Sequence, residues 1–173
     1  EAYRAVSYDK VQAAFPNDLT CASRIINGVN FVSLDNGYYQ ISEQQHRFMK
    51  KQIKKGLPIV LMVHAPFYTP EHCALELKKT NGLCGYMTGA PLEITSKYDP
   101  KFNEKEKWRN RSVQQRATKT TLDFVKWLRK QPLLKGILCG HCHYYYQEQF
   151  SPTCTQYSVA AGYEGKVQVV QFY

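Results

Sequence analysis

Leu57-Pro58-Ile59-Val60-Leu61-Met62-Val63 is the stretch that decides the fold class of this 173-residue chain. Its apolar residues are continuous rather than alternating, which is typical of a strand buried on both faces of a parallel or mixed sheet. Leu133–Cys139 predicts a second strand of the same kind. Because a segment with helical signals precedes each strand, the sequence predicts an α/β fold, a mixed sheet with flanking helices.

Two capping patterns mark the predicted helices. Ser42-Glu43-Gln44-Gln45 combines a serine at the N-cap with a glutamine three residues later, and the helix is expected to run to about Lys55. His46, among the charged residues of this helix, is expected to face the solvent. Ser112-Val113-Gln114-Gln115 repeats the capping pattern, and apolar residues at helical spacing predict a second helix to about Lys130.

The remaining segments are less regular. Residues 1–29 are expected to be irregular or shortly helical, and Val29–Leu34 is expected to be a strand that ends at the turn signal Asp35-Asn36-Gly37. Residues 67–111 hold prolines, glycines and charges without a sustained period, so they predict a long insertion that overhangs a site. The tail, residues 157–173, predicts a hairpin or two closing strands.

The bulk composition is that of a soluble globular protein, with 43% hydrophobic and 21% charged residues. No apolar run approaches the ~18 residues that would span a membrane, so no membrane span is expected. The net charge of +9 favours anionic partners, but the basic residues are spread over several helix ends, so a nucleic-acid surface is compatible with the charge and not favoured. Six cysteines without a disulfide spacing give only a weak indication of a cytoplasmic location.

Histidines follow both apolar strands directly. His64 comes after the first, and Gly140-His141-Cys142-His143 comes after the second. Because open α/β sheets place ligand sites at the carboxyl ends of their strands, we expect these side chains to lie at one edge of the sheet. Neutral imidazole is the commonest protein ligand for transition metals. The pattern therefore predicts a metal site formed by His64, His141 and His143.

Val63-His64-Ala65-Pro66 after one strand, followed by Gly-His-x-His after a later one, resembles the last two metal-binding motifs of calcineurin-like metallophosphoesterases. The resemblance spans roughly residues 29–173. It implies a two-sheet α/β sandwich with two divalent metal ions (manganese, iron, zinc or similar) at the strand ends. It also implies that His64 and His141 bind one ion and His143 the other, and that the protein hydrolyses a phosphate mono- or diester.

The upstream motifs of that family, Asp-x-His, Gly-Asp and Gly-Asn-His, do not occur in this sequence. We therefore expect residues 1–173 to be the C-terminal portion of one domain, with the long insertion at about 67–111. The missing N-terminal half would supply bridging carboxylates and the general acid. Because three neutral imidazoles cannot hold two dications alone, the chain by itself is expected to be inactive.

Four further residues are expected near the phosphate-ester substrate. Tyr68 follows the His64 motif closely, and His72 lies a few residues later. Gly162 and Tyr163 belong to a segment that should return past the second histidine motif. An anionic substrate of this kind also agrees with the positive net charge.

Three other functions are compatible with parts of the pattern. Cys139-Gly140-His141-Cys142-His143 matches the Cys-x-x-Cys-His signature of c-type haem attachment, which would indicate electron transfer but leaves His64 unexplained. A structural zinc site built from the same segment would crowd four ligands into five residues. The third is a non-catalytic binding module with the metallophosphoesterase fold, which the missing acidic motifs would allow.

Overall fold

One mixed sheet of six strands forms the centre of the structure, a computed structural model that describes residues 8–80, 87–95 and 116–171. The strands are β1 (Cys21–Ile26), β2 (Val29–Leu34), β3 (Ile59–Met62), β4 (Leu134–Cys139), β5 (Tyr146–Ser151) and β6 (Cys154–Ser158). Their order across the sheet is β1-β2-β3-β4-β6-β5. The four central strands are parallel to one another, and β1 and β5 pair antiparallel at the two edges.

Helices flank this sheet, which confirms the predicted α/β class. They are α1 (Glu43–Ile53), α2 (Pro70–Lys79), α3 (Leu92–Thr95) and α4 (Lys119–Leu128), and residues 8–12 are also helical. In the described part of the chain, no helix has the length and apolar character that crossing a membrane requires.

The capping box predicted for α1 is present. The Ser42 hydroxyl accepts a hydrogen bond from the Gln45 backbone N–H at 3.2 Å, and Oε1 of Gln45 accepts one from the Ser42 N–H at 2.8 Å. The reciprocal bonds satisfy two N–H groups that a helix start otherwise leaves without partners. The helix ends at Ile53, two residues before the predicted Lys55.

Helix α4 begins later than the sequence pattern predicts. Residues 116–118 are not helical, because Thr118 is the N-cap and its hydroxyl accepts a hydrogen bond from the Thr121 N–H at 3.2 Å. The predicted cap at Ser112–Gln115 lies outside the described residues.

The expectation that residues 1–29 are irregular or shortly helical is wrong for residues 21–26, which form β1. Asn27 and Gly28 join β1 to β2 as a two-residue turn, and both have positive φ, 49° and 80°. Asn-Gly with two positive φ angles is the preferred sequence of a type I′ hairpin turn. The dipeptide therefore carried a local signal for the hairpin.

Part of the predicted insertion at 67–111 is regular structure. Helix α2 lies within it, with Thr69 as its N-cap and Pro70 in its first turn, where the missing N–H costs no helical hydrogen bond. Residues 87–90 are all buried, so this segment belongs to the interior. Residues 81–86 and 96–111 of the predicted insertion lie outside the described residues.

The main core lies on one face of the sheet. Val32, Leu61 and Ile137 are register neighbours across β2, β3 and β4, and all three are fully buried. Met49 of α1 and Phe124 of α4 belong to the same cluster. Full burial of each such side chain contributes about 1.5–3 kcal/mol, so this layer holds the two helices against the parallel strands.

The opposite face of the sheet is less covered. Ser33, Met62, Leu138 and Tyr157 form one row across β2, β3, β4 and β6. All four are partly exposed, and Met62 retains 38% of its accessible surface. The described residues form a single sheet, so the second sheet of the expected sandwich is not among them.

The expected hairpin or pair of strands at residues 157–173 is found only in its first residues, which end β6. From residue 159 to 171 the structure describes no strand, only a 3₁₀ turn at Gly162–Glu164. Val167 and Val169 are 90% and 89% exposed. An apolar alternating segment needs a neighbouring strand to become part of a sheet, and none lies beside these residues in the described structure.

Candidate metal centre

The carboxyl ends of the four parallel strands share one edge of the sheet, and the predicted histidines lie there. His64 follows β3 by two residues, and His141 and His143 lie directly after β4. The Gly140 N–H donates to the His64 carbonyl at 3.0 Å, so the two histidine motifs are joined through their backbones. This is the edge at which open α/β sheets commonly bind ligands.

His64 and His141 are in direct contact. Nε2 of His64 and Nδ1 of His141 lie 3.1 Å apart, and the rings meet edge to face with centroids 5.0 Å apart. When two imidazole nitrogens bind the same ion, each at about 2.0–2.1 Å, they lie roughly 3 Å apart if the angle at the ion is about 100°. The pair therefore has the spacing of two ligands of a single metal ion.

His143 contacts Tyr163. The Tyr163 hydroxyl is 3.2 Å from Nδ1 of His143, and the two rings meet edge to face at 5.7 Å. Tyr163 is 79% exposed, and its neighbour Gly162 is exposed as well. In the part of the chain that the structure describes, no group of three or more His, Cys, Asp or Glu side chains could hold a metal ion.

The backbone of the second motif is strained. His141 and His143 have φ angles of 69° and 59°, and Tyr39 has a φ of 60°. Asn27 in the hairpin turn is the fourth non-glycine residue with positive φ among those described. Left-handed backbone costs a non-glycine residue about 1–2 kcal/mol and persists where surrounding contacts enforce it, often at functional sites.

Asn36 is a buried residue that fixes the backbone of the first motif. Its Oδ1 accepts hydrogen bonds from the N–H groups of His64 and Ala65, at 2.9 and 3.0 Å. Its Nδ2 donates to the Ala65 carbonyl at 2.7 Å and to the Thr88 hydroxyl at 2.8 Å. The sequence predicted only a turn at this position. It gave no sign that this turn follows a strand that lies parallel to β3 and beside it.

Tyr39, three residues later, contacts the second motif. Its hydroxyl lies 2.7 Å from Nε2 of His141, and the two rings meet edge to face with centroids 5.3 Å apart. The tyrosine is buried, so its hydroxyl has a fixed position. Sequence reasoning did not identify this residue, because the contact joins positions 102 residues apart.

The other two expected substrate residues, His72 and Tyr68, contact Glu148 and Arg129. His72 is fully buried on α2, with its Nδ1 3.1 Å from Oε1 of Glu148. Tyr68 is half-buried, and its carbonyl accepts a hydrogen bond from Arg129 at 2.5 Å. Both residues therefore connect α2 and the segment before it to the rest of the protein.

The two cysteines of the second motif differ in their surroundings. Cys139 belongs to the core, its Sγ lies 3.2 Å from the Tyr157 carbonyl, and burial raises the pKa of its thiol to about 12. Cys142 is half-exposed. A c-type haem requires two thiols that reach the same porphyrin, so the inward position of Cys139 weighs against that alternative.

The sequence matches no protein-family model, and no curated protein is significantly similar to it. The resemblance to calcineurin-like metallophosphoesterases thus depends on the two histidine motifs and their strand context. What the chain does has to be inferred from the site itself.

Proposed function

We propose that this chain carries the histidine side of a two-metal phosphoesterase centre of the calcineurin-like type. The observation that carries the proposal is the 3.1 Å approach of His64 Nε2 to His141 Nδ1 at the carboxyl ends of two adjacent parallel strands. This separation suits both an N–H···N hydrogen bond and two nitrogen ligands of one ion. The donor set fits manganese, iron or zinc, all of which accept imidazole.

The position of His143 supports a second ion. Its ring lies against Tyr163, whereas the rings of His64 and His141 contact each other. We propose that His64 and His141 hold one ion and that His143 contributes to the other. When bound, such a pair of ions neutralises the phosphate oxygens and supplies a hydroxide nucleophile.

The residues of this chain then bind and orient the substrate around that centre. Tyr163 is exposed beside His143 and can donate its hydroxyl proton in a hydrogen bond to a phosphate oxygen. The chain's net charge of +9 attracts an anionic ester and raises its local concentration. A phosphate mono- or diester is therefore the substrate class that we propose.

We further propose that the sheet is half of a two-sheet sandwich. The support is the partly exposed row that includes Met62, Leu138 and Tyr157, together with the exposed Val167 and Val169. Apolar surface of this kind favours cover by another layer. The second layer would come from an N-terminal half of the domain, which would also bring bridging carboxylates and the general acid.

The test measures metal binding and hydrolysis in a protein that contains both halves. We expect zinc or manganese to bind, and His64→Ala or His141→Ala to weaken binding by more than the 10–100-fold typical of outer-shell changes. His46→Gln, at a histidine of α1 that packs against Phe124 and Trp127, is the matched control and should bind as the wild type does.

Hydrolysis of an aryl phosphate ester with added manganese separates the alternatives. We expect activity in the complete domain, its loss in His64→Ala, and none in residues 1–173 alone. Metal binding without hydrolysis in the complete domain would favour a binding module instead. No metal binding in the complete domain would refute the proposed centre.

A further inference from the structure

The turn between β2 and α1 contacts both members of the histidine pair. Asn36 bonds the backbone of His64, and Tyr39 bonds the ring of His141. We propose that two residues of this turn, Asn36 and Tyr39, position the metal pair, and that the Tyr39 hydroxyl selects the His141 tautomer whose Nδ1 lone pair faces His64. The inference rests on the proposed function and assigns a role to a loop that would otherwise be a plain connection.

Asn36 determines where His64 is. Its amide oxygen accepts from two successive backbone N–H groups, and its amide nitrogen donates to the Ala65 carbonyl and to Thr88. These four bonds use the main donors and acceptors of a side-chain amide. The amide orientation is therefore fixed, and the backbone at His64 is held without any contact to its ring.

In the proposed arrangement the Tyr39 hydroxyl accepts a hydrogen bond from His141 and thereby keeps the proton on Nε2. Because a metal ligand needs a lone pair, binding through Nδ1 requires the hydrogen on Nε2, the nitrogen that lies 2.7 Å from the Tyr39 hydroxyl. A ligating histidine usually donates its other N–H to such an acceptor, which fixes both tautomer and ring orientation. The Tyr39 ring is buried and its backbone is left-handed, so the acceptor cannot easily move away.

The same tautomer explains the contact within the pair. With Nε2–H of His141 directed at Tyr39, Nδ1 of His141 is an acceptor, and the 3.1 Å contact requires the hydrogen on Nε2 of His64. His64 is exposed, so its ring can exchange that hydrogen with solvent. To serve as a ligand, His64 would only have to change tautomer, its hydrogen moving from Nε2 to Nδ1 through solvent, while His141 is already in its ligand form.

The first test reads the tautomer in the metal-free protein. Nitrogen-15 chemical shifts of histidine rings distinguish a protonated from an unprotonated nitrogen, at a pH where the imidazoles are neutral. We expect wild-type His141 to carry its hydrogen on Nε2, and Tyr39→Phe to give a mixture of tautomers. The neighbouring Tyr38→Phe, at a ring that is 50% exposed, is the matched control and should leave His141 unchanged.

The second test measures zinc affinity by calorimetry. We expect Tyr39→Phe to weaken binding by about 10–100-fold, the effect of losing an outer-shell partner, and Tyr38→Phe to change it less than about twofold. Equal affinity in the wild type and in Tyr39→Phe would overturn the proposal.

The two measurements also separate this inference from the function on which it rests. If the wild-type complete domain, with both halves present, binds no zinc, the metal centre is refuted, while the shifts still decide what Tyr39 does. If Tyr39→Phe does not fold, the wild type suffices, because a His141 hydrogen on Nδ1 contradicts the proposal.

Discussion

Nδ1 of His72 lies 3.1 Å from Oε1 of Glu148, and their side chains are 0% and 7% exposed. Glu148 also accepts a hydrogen bond from the Thr69 hydroxyl and one from Nε2 of Gln156 at 2.8 Å. Phe67 fixes the Gln156 amide through its own backbone N–H and carbonyl, so an N–H group must face Glu148. Glu148 therefore ties α2 to the β5–β6 edge through three side-chain contacts.

Glu148→Gln tests this connection. The substitution removes the charge and places an amide N–H against donors, so we expect the free energy of unfolding to fall by about 3 kcal/mol. Urea denaturation followed by circular dichroism measures the change. Glu43→Gln is the control, because Glu43 pairs with Arg47 on an exposed helix surface and should cost less than about 1 kcal/mol. Equal costs in the two variants would contradict the interpretation.

Asn36→Ala should reduce both stability and order near His64. Two backbone N–H groups lose their acceptor in a buried place, so we expect a loss of about 2–3 kcal/mol in the free energy of unfolding. Hydrogen exchange should accelerate at the His64 and Ala65 amides. Asn17→Ala, at an exposed asparagine, is the comparison and should change neither quantity. Unchanged exchange at His64 would show that Asn36 does not hold this segment.

Gly89→Ala separates backbone strain from packing. Gly89 has a φ of 80°, and a Cβ there would lie 2.6 Å from Cγ2 of the buried Val125. Gly28 has the same φ, but a Cβ there would meet nothing within 4 Å. Gly28→Ala should therefore cost about 1 kcal/mol from backbone strain alone. We expect Gly89→Ala to cost about 1–3 kcal/mol more, measured by thermal unfolding.

His46 should make stability depend on pH. Its ring packs against Phe124 and Trp127, with centroids 5.3 and 4.9 Å away, and burial followed by the charge of Lys50 lowers its pKa. The unfolded chain then binds a proton more readily than the folded one, so stability from this group falls as pH drops below about 6.5.

The pH test compares melting temperatures of the wild type and His46→Gln between about pH 8 and about pH 5. We expect the wild type to lose more stability on acidification than the variant does. A parallel decline in both proteins would show that other groups cause it. The contacts also correct the expectation that His46 faces solvent, because its ring is partly buried against two aromatic residues of α4.

Local patterns predicted the parts of this protein that local physics decides. Continuous apolar runs gave β3 and β4, and the capping box at Ser42–Gln45 gave α1. The placement of His64 and His141 after equivalent strands followed from sheet topology. Two further elements also had local signals: the start of α2 at Thr69-Pro70 and the Asn27-Gly28 turn. They were not predicted, because no hydrophobic period in the surrounding sequence indicated a helix or a strand there.

Contacts between distant residues could not be read from one sequence. Asn36 reaches His64 across 28 positions, and Tyr39 reaches His141 across 102. Neither spacing has a period, and each contact exists only because β2 lies beside β3 and β3 beside β4. The first turn of α4 also depends on a contact between distant residues. Thr121 donates its hydroxyl hydrogen to Gln40, 81 residues earlier.

The contact between His64 and His141 joins residues 77 positions apart, through two parallel strands whose pairing is intrinsically slow to form. Neither ring has its partner until β3 and β4 are in register. A cation chelated by both rings would therefore recognise the finished native state and almost nothing before it. By mass action such a cation would raise the melting temperature as its concentration rises, so a titration would show that it binds the folded chain and not the unfolded one.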